Sequence, residues 1–187
     1  SSGVGLGGGI ILNGRLLEGT AGFAGEVGHI TVQQDATAIA CNCGNFGCWE
    51  TVAGRQALFD RIENRIDSGQ ASWIAEVTGG DMSRLSIPLI VEAARRGDNV
   101  ALDALNETGE WLGIGISSLI NIINPERVIF GGALISAHEF LLPAIRQTIQ
   151  ERTWPWMRQG VDVVVAEHGE DASVMGSVAI VYQDVLN

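Results

Sequence analysis

Lysine is absent from this chain: its 11 basic residues are all arginines, set against 22 Asp and Glu, for a net charge of −11. A phosphate loop of the Walker type needs a lysine after its glycine-rich turn, so that mode of nucleotide binding is excluded. The acidic balance also argues against a nucleic-acid surface on these residues, because backbone phosphates demand clustered cations. Long apolar runs are missing too. None approaches the ~20 residues needed to cross a bilayer, so no membrane partner is expected, and no basic end followed by an apolar run marks a targeting segment. The longest apolar region, Trp111 to Ile123, is interrupted by Gly113, Gly115, Ser117, Ser118 and Asn121 and reads as a buried helix.

Cysteine is scarce, and its placement is informative. All 3 cysteines fall in the run Cys41-Asn42-Cys43-Gly44-Asn45-Phe46-Gly47-Cys48. An odd trio cannot pair off, and clustered thiols point to a reducing, cytoplasmic setting in which metal binding is the commoner use. Three thiolates with the imidazole of His29 complete a tetrahedral zinc shell, and four protein ligands leave no open position for water. Such a zinc is structural. Isolated cysteines are usually small buried hydrophobes, but Gly44, Asn45 and Gly47 are turn residues that suit a folded-back loop. His138 and His168 lie far off and read as ordinary surface or loop histidines.

Glu26 and Glu50 bracket the metal residues, so the loop is expected to shape a polar pocket. Each has a plainer reading. Glu50 in the first turn of a helix complements the helix dipole in any protein, and Glu26 reads equally as a solvated loop residue.

Along the chain, Gly3, Gly5, Gly7, Gly8 and Gly9 lead into Ile10-Ile11-Leu12, then Asn13-Gly14, a strong hairpin signal. A chain that opens inside a glycine-rich element is expected to be a piece of a longer protein. Gly28 to Val32 reads as a short strand, and a helix is expected from Trp49 or Glu50 to Ile66 on the spacing of Leu58, Ile62 and Ile66. Residues 67–84 read as a polar connection. Ser86 with Pro88 starts a helix that ends at Arg95-Arg96-Gly97, and Asp98 caps a long helix to about Asn124. Arg127 to Phe130 and Val161 to Val165 are strands, with helices at His138 to Arg152 and Ser173 to Leu186. The order predicts an α/β fold with a mixed sheet flanked by helices.

The segments Gly3 to Ile11, Gly25-Glu26-Val27-Gly28-His29, Cys41 to Glu50 and Asn124-Pro125-Glu126-Arg127-Val128-Ile129-Phe130-Gly131-Gly132 together resemble the ROK family of repressors, open reading frames and sugar kinases. The resemblance spans nearly the whole chain. It implies an actin-like, ribonuclease-H-like fold of two lobes around a sugar cleft, with residues 1–187 as the C-terminal lobe and 173–187 packing toward the other lobe. It further implies that Glu26, His29 and Glu50 contact a monosaccharide or sugar derivative. Gly3, Gly5 and Gly7, with Gly131 and Gly132, match phosphate or nucleotide loops. A homodimer or larger assembly is implied as well.

Two departures from the family's kinases stand out. The sequence contains no counterpart of their N-terminal lobe, with its aspartate-and-glycine phosphate loop and the aspartate that deprotonates the sugar hydroxyl, so these residues alone are expected to be inactive. Gly3-Val4-Gly5 also stands where the kinases carry Gly-Thr-Gly, and Gly131-Gly132-Ala133 replaces a third glycine. Together they favour a sugar-responsive transcriptional repressor that touches DNA only through an N-terminal helix-turn-helix absent from this sequence, with no catalytic residue assigned here. The alternative is the C-terminal lobe of an ATP-dependent sugar kinase, which alone would use ATP and magnesium. The segments Trp154-Pro155-Trp156 fit either a subunit interface or a core.

Overall fold

The computed structural model describes residues 5–172 and 174–179, so the expectations for Gly3, Val4, Ser173 and 180–187 lie outside the described residues. Residues 174–179 are helical. The long helix α5, Asn99–Ile123, runs through the core. Asp98 caps it by accepting from the Ala101 N–H (3.1 Å), and Asn124 ends it in the left-handed region. The interrupted apolar stretch is the second half of this helix, with Leu112, Gly113, Gly115, Ile116, Ser117 and Ile120 buried.

The glycines of α5 let neighbours approach. A Cβ at Gly109 would stand 2.7 Å from Ala144 Cβ and 2.9 Å from the Leu141 carbonyl, and one at Gly113 would stand 3.1 Å from the Ile145 carbonyl. α6, His138–Arg152, therefore packs directly on the α5 backbone. On another side, α1 (Trp49–Ala53) and α2 (Arg55–Asp67) pack against α5. The fully buried Leu58, Ile62, Leu105, Ile120, Leu141 and Ile145 fill the space between them.

The expected single helix to Ile66 is two helices. Gly54 (φ −75°, ψ 169°) is extended and serves as C-cap of α1 and N-cap of α2, a break its low helix propensity permits. The connection at 67–84 carries its own helix, α3, Trp73–Thr78, capped by Ser72 and closed by Gly79 in the left-handed region. α4, Ile87–Arg95, begins at Ser86 with Pro88 in its first turn, as its sequence signals predict. A short α7, Pro155–Arg158, follows α6.

Strands contribute less than expected. β1 (Ile11–Leu12) and β2 (Arg15–Leu16) form an antiparallel hairpin, with Asn13 and Gly14 both at positive φ. β3 (Arg127–Phe130) and β4 (Asp162–Val165) pair in parallel, Arg127 opposite Asp162. Among the described residues these are two separate two-stranded sheets, one of each sense, and no single mixed sheet. Trp154 and Trp156 are 60% and 74% exposed, so the core reading of that segment is ruled out. Among the described residues, no helix is long and apolar enough to cross a membrane.

Candidate functional site

Gly28 to Val32 is not a strand. Val27–His29 is a turn of 3-10 helix, because Gly28 lies against the Leu6 carbonyl so closely that no Cβ would fit. Beyond it the chain runs beside the cysteine loop: the Val32 N–H donates to Gly47 O (2.9 Å) and the Trp49 N–H to Ile30 O (2.8 Å). Thr31 and Cys48 form an isolated bridge. Gly47, at φ +68°, packs on the Gln33 carbonyl and folds the loop back. This turn and loop bring His29 over the cysteines.

His29 and the three cysteines each offer one ligand atom, and these atoms all lie within 4.8 Å of one another. Cys43 Sγ and Cys48 Sγ are 3.6 Å apart, and Cys41 Sγ is 3.6 Å from His29 Nδ1. A tetrahedral zinc with bonds of about 2.0–2.3 Å sets its ligand atoms about 3.5–3.8 Å apart. The donor set and its spacing thus fit a metal ion. The same grouping leaves out His138, whose Nδ1 lies 2.9 Å from Ile135 O, and the exposed His168.

The thiols differ in their surroundings. Cys43 is exposed, and the Asn45 backbone N–H, followed by the Cys41 thiol, holds it down to about 7. The Cys43 backbone N–H favours a Cys41 thiolate, but the Glu50 carboxylate and burial outweigh it and push Cys41 up to about 12. Burial, then the neighbouring Cys43, raises Cys48.

Both glutamates converge on the imidazole. Glu26 Oε2 is 3.8 Å from His29 Nε2, and Glu50 Oε1 is 3.7 Å from His29 Nδ1. Glu50 lies in the first turn of α1, yet its side chain caps no helix N–H; it accepts from Cys41 Sγ at 2.9 Å. Its side chain is 19% exposed against 65% for Glu26. The metal cluster and the inner carboxylate are therefore one hydrogen-bonded unit, with the outer carboxylate open to solvent.

The glycine run stands beside this unit. A Cβ at Gly5 would lie 2.9 Å from Glu50 Oε2, and the Gly8 N–H donates to Gly25 O (3.2 Å). On its other side, Gly5 and Gly7 face Gly131 and Gly132 across a cleft of about 570 Å³. Residues separated by more than a hundred positions in the sequence thus line one space. Trp49 fixes the whole arrangement to α5: it is 4% exposed, packs on Gly115 and donates from Nε1 to Trp111 O (2.8 Å). Sequence reasoning missed that anchor. Its signal was Gly115, one of the small residues that interrupt the apolar half of α5.

A model of the ROK family matches residues 2–184. The chain belongs to the ROK family. It is similar to the xylose repressor of Caldicellulosiruptor bescii, 36% identical over all of this chain and 46% of that protein. Among solved structures, it resembles a ROK family transcriptional regulator described as a homologue of E. coli MLC. That match has a TM-score of 0.77 and 41% identity, over 87% of this chain and 39% of the other. It also resembles a ROK family glucokinase from Streptomyces griseus in complex with glucose and AMPPNP. There the TM-score is 0.86 and the identity 33%, over 95% of this chain and 57% of the other. The chain spans 46%, 39% and 57% of the length of these three proteins.

Proposed function

We propose that this chain is the sugar-binding effector part of a ROK transcriptional regulator, with DNA contact made outside these 187 residues. The observation that carries the reading is the convergence of Glu26, His29 and Glu50 on one face of a loop fit to hold a metal. Sugar hydroxyls donate and accept, and two carboxylates at fixed separation discriminate their geometry. Zinc is the ion that three sulfurs and one imidazole nitrogen suit. It would sit on Cys41, Cys43, Cys48 and Nδ1 of His29, leaving Nε2 toward Glu26 and the sugar. Its contribution is rigidity: it fixes the loop and the imidazole's tautomer. Loss of one buried polar partner from such a site costs about 1–3 kcal/mol.

Support for the regulator branch comes from the similarity to the xylose repressor and to the MLC homologue, joined to the net charge of −11, which suits an effector surface better than a DNA one. In a regulator, sugar shifts the DNA-bound population by no more than its differential affinity for the two states. Calorimetric titration of the metal-loaded protein with a panel of aldohexoses, pentoses and N-acetylhexosamines tests the reading. A folded, metal-loaded protein that binds none of them overturns it. The likeness to the glucokinase favours a second reading, a lobe of an ATP-dependent sugar kinase. Turnover of any of these sugars with MgATP at ~1 per second or more would establish that reading instead.

A further inference from the structure

Of the three cysteines, Cys43 is the one at the surface; Cys41 and Cys48 are buried. It sits at the tip of the loop, where residues 42–46 are all exposed. A brace for the loop is served as well by a buried sulfur, so a structural role does not account for that exposure. Cys43 Sγ lies 3.6 Å from Cys48 Sγ, and a disulfide needs about 2.05 Å. Cys43 is the partner free to close the gap. Gly44 follows it at φ +93°, with nothing within 4 Å of where a Cβ would stand, so that side of the tip turns in open space. Cys48 is held in place. It is fully buried, bridges to Thr31 and is the N-cap of α1, its carbonyl accepting from the Thr51 N–H (2.9 Å) and Oγ1 (2.7 Å).

Cys41 is engaged elsewhere. Its thiol donates to Glu50 Oε1 at 2.9 Å and lies 3.6 Å from His29 Nδ1. An accessible thiol beside a buried second one, with the third turned to other partners, is the arrangement of a peroxide-reactive cysteine and its resolving partner. In a reducing compartment such a bond forms transiently, as a sensor rather than as a structural link.

We propose that Cys43 is an oxidation site for a hydroperoxide, that Cys48 resolves it as a disulfide within the chain, and that this bond and a bound metal exclude each other. The Cys43 sulfur attacks one peroxide oxygen: an S–O bond forms, the O–O bond breaks, and the thiol proton leaves on the other oxygen as water or an alcohol. The Cys48 sulfur then attacks the Cys43 sulfur. The S–S bond forms, the S–O bond breaks, and the hydroxyl departs as water with the Cys48 proton. The peroxide gains the two electrons that the two thiols lose. Both sulfurs belong to the group of four ligand atoms, so only Cys41 and His29 remain, half of the shell a structural zinc requires. Oxidation thereby releases the imidazole that stands between Glu26 and Glu50. Control of sugar affinity rests on the sugar reading; the cysteine chemistry does not.

The test begins with protein purified reduced and metal-loaded. It is treated with hydrogen peroxide, alkylated, cut with chymotrypsin at Phe46 between the two cysteines, and mapped by fragment-ion mass spectrometry, with released metal read by a colorimetric chelator. A Cys43–Cys48 crosslink should appear in step with metal release, with Cys41 alkylated, and dithiothreitol with added zinc should reverse both. In Cys48→Ser, dimedone should capture a sulfenic acid on Cys43. Cys41→Ser should still form the crosslink. A crosslink through Cys41, a dimedone adduct on another cysteine, or treated protein that keeps three free thiols overturns the proposal. Sugar titrations on the same wild-type samples should show binding weakened about tenfold or more by oxidation, the scale of one lost buried polar partner, and restored by reduction with zinc. Reduced, metal-loaded protein that binds no sugar removes the sugar reading and leaves the oxidation site standing. Crosslinked protein that binds sugar as the reduced form does overturns the control of affinity and leaves the sugar reading.

Discussion

Trp49 is held between a metal loop and a helix by one missing methyl. An alanine at Gly115 would place its Cβ inside the indole, overlapping Cε2, Cδ2 and Cζ2. The ring cannot slide away cheaply, because it is 4% exposed and its Nε1–H is committed to Trp111 O at 2.8 Å. Overpacking of this kind costs about 1–3 kcal/mol. Breaking the part-buried indole hydrogen bond adds about 1 kcal/mol. Against this, alanine improves helix propensity in α5 by up to about 1 kcal/mol over glycine. The balance is a destabilisation of about 1–3 kcal/mol, or a fall in Tm of roughly 2–12 °C for a chain of this size.

What makes Gly115→Ala diagnostic is the position of the displaced ring. Trp49 lies between Cys48 and Glu50 in the chain, so its shift moves a metal ligand and the inner carboxylate together. Gly113→Ala is the matched control, since its Cβ would collide with Thr148 on α6, away from the loop. Thermal melts by circular dichroism, with metal content measured on the same samples, separate the two. Both variants should melt earlier, and only Gly115→Ala should also lose metal and sugar affinity. A Gly115→Ala protein with wild-type Tm, or one that melts early yet holds metal and sugar as wild type does, would refute the claim that Trp49 anchors the site.

Three further outcomes follow from the geometry. Cys43→Ser should lose the bound metal, about one zinc per chain in protein purified reduced and without chelator, and sugar binding should fall with it; sugar binding that survives complete metal loss would break the link between them. Asp98→Ala should destabilise by about 2–3 kcal/mol in urea, because Oδ1 caps α5 and Oδ2 accepts from Ser72 Oγ (2.7 Å) and the Trp73 N–H (2.6 Å); a loss below half a kcal/mol would mean that the cap is replaced by water. Burial raises Glu107, but Arg61 and Arg65 outweigh it and hold its carboxyl below the usual range. A depressed carboxyl contributes stability above its unfolded value, about 4.3, and loses it as pH falls through the lower folded value. Since the side chain is 39% exposed, that contribution is about 0.5–1 kcal/mol after solvent screening. Melts between pH 7 and pH 3 should therefore show wild type losing more than Glu107→Gln, and equal losses would show the pair to be inert.

The helices were legible wherever a cap and an apolar period agreed. Asp98 and Asn124 bound α5, and Ser86 with Pro88 opens α4, each as its local chemistry dictates. The metal cluster was legible too, since its cysteines fall within one loop. What failed was tertiary. Ile30 and Val32 look like alternate residues of a strand, but their partners are the Trp49 N–H at the start of α1 and the Gly47 carbonyl of the cysteine loop, not a sheet. Leu58, Ile62 and Ile66 give a period that does not reveal where the helix begins, and only the extended Gly54 divides α1 from α2. Asp98 is recognisable as a cap, yet its second oxygen, tied to Ser72 and Trp73, is invisible without the packed α3.

The glycine run shows most clearly why a motif and its use are different things. Read along the chain, Gly5, Gly7, Gly8 and Gly9 are one flexible string. In space they divide by what lies against them. Gly8 bonds to Gly25, whose own missing Cβ leaves room for the Gly8 carbonyl. Gly5 abuts the Glu50 carboxylate. These two positions are glycine because backbone and side chains of the metal loop press on them, so alanine there should cost stability. Gly7 is pressed by nothing. Gly7 lines the cleft, and no described atom lies within 4 Å of where its Cβ would stand, so the fold does not need its smallness. Gly5→Ala and Gly7→Ala are therefore expected to part company: the first should lower Tm and disturb Glu50, and the second should leave Tm in place and narrow the cleft. Equal Tm losses in both would return Gly7 to the packing group.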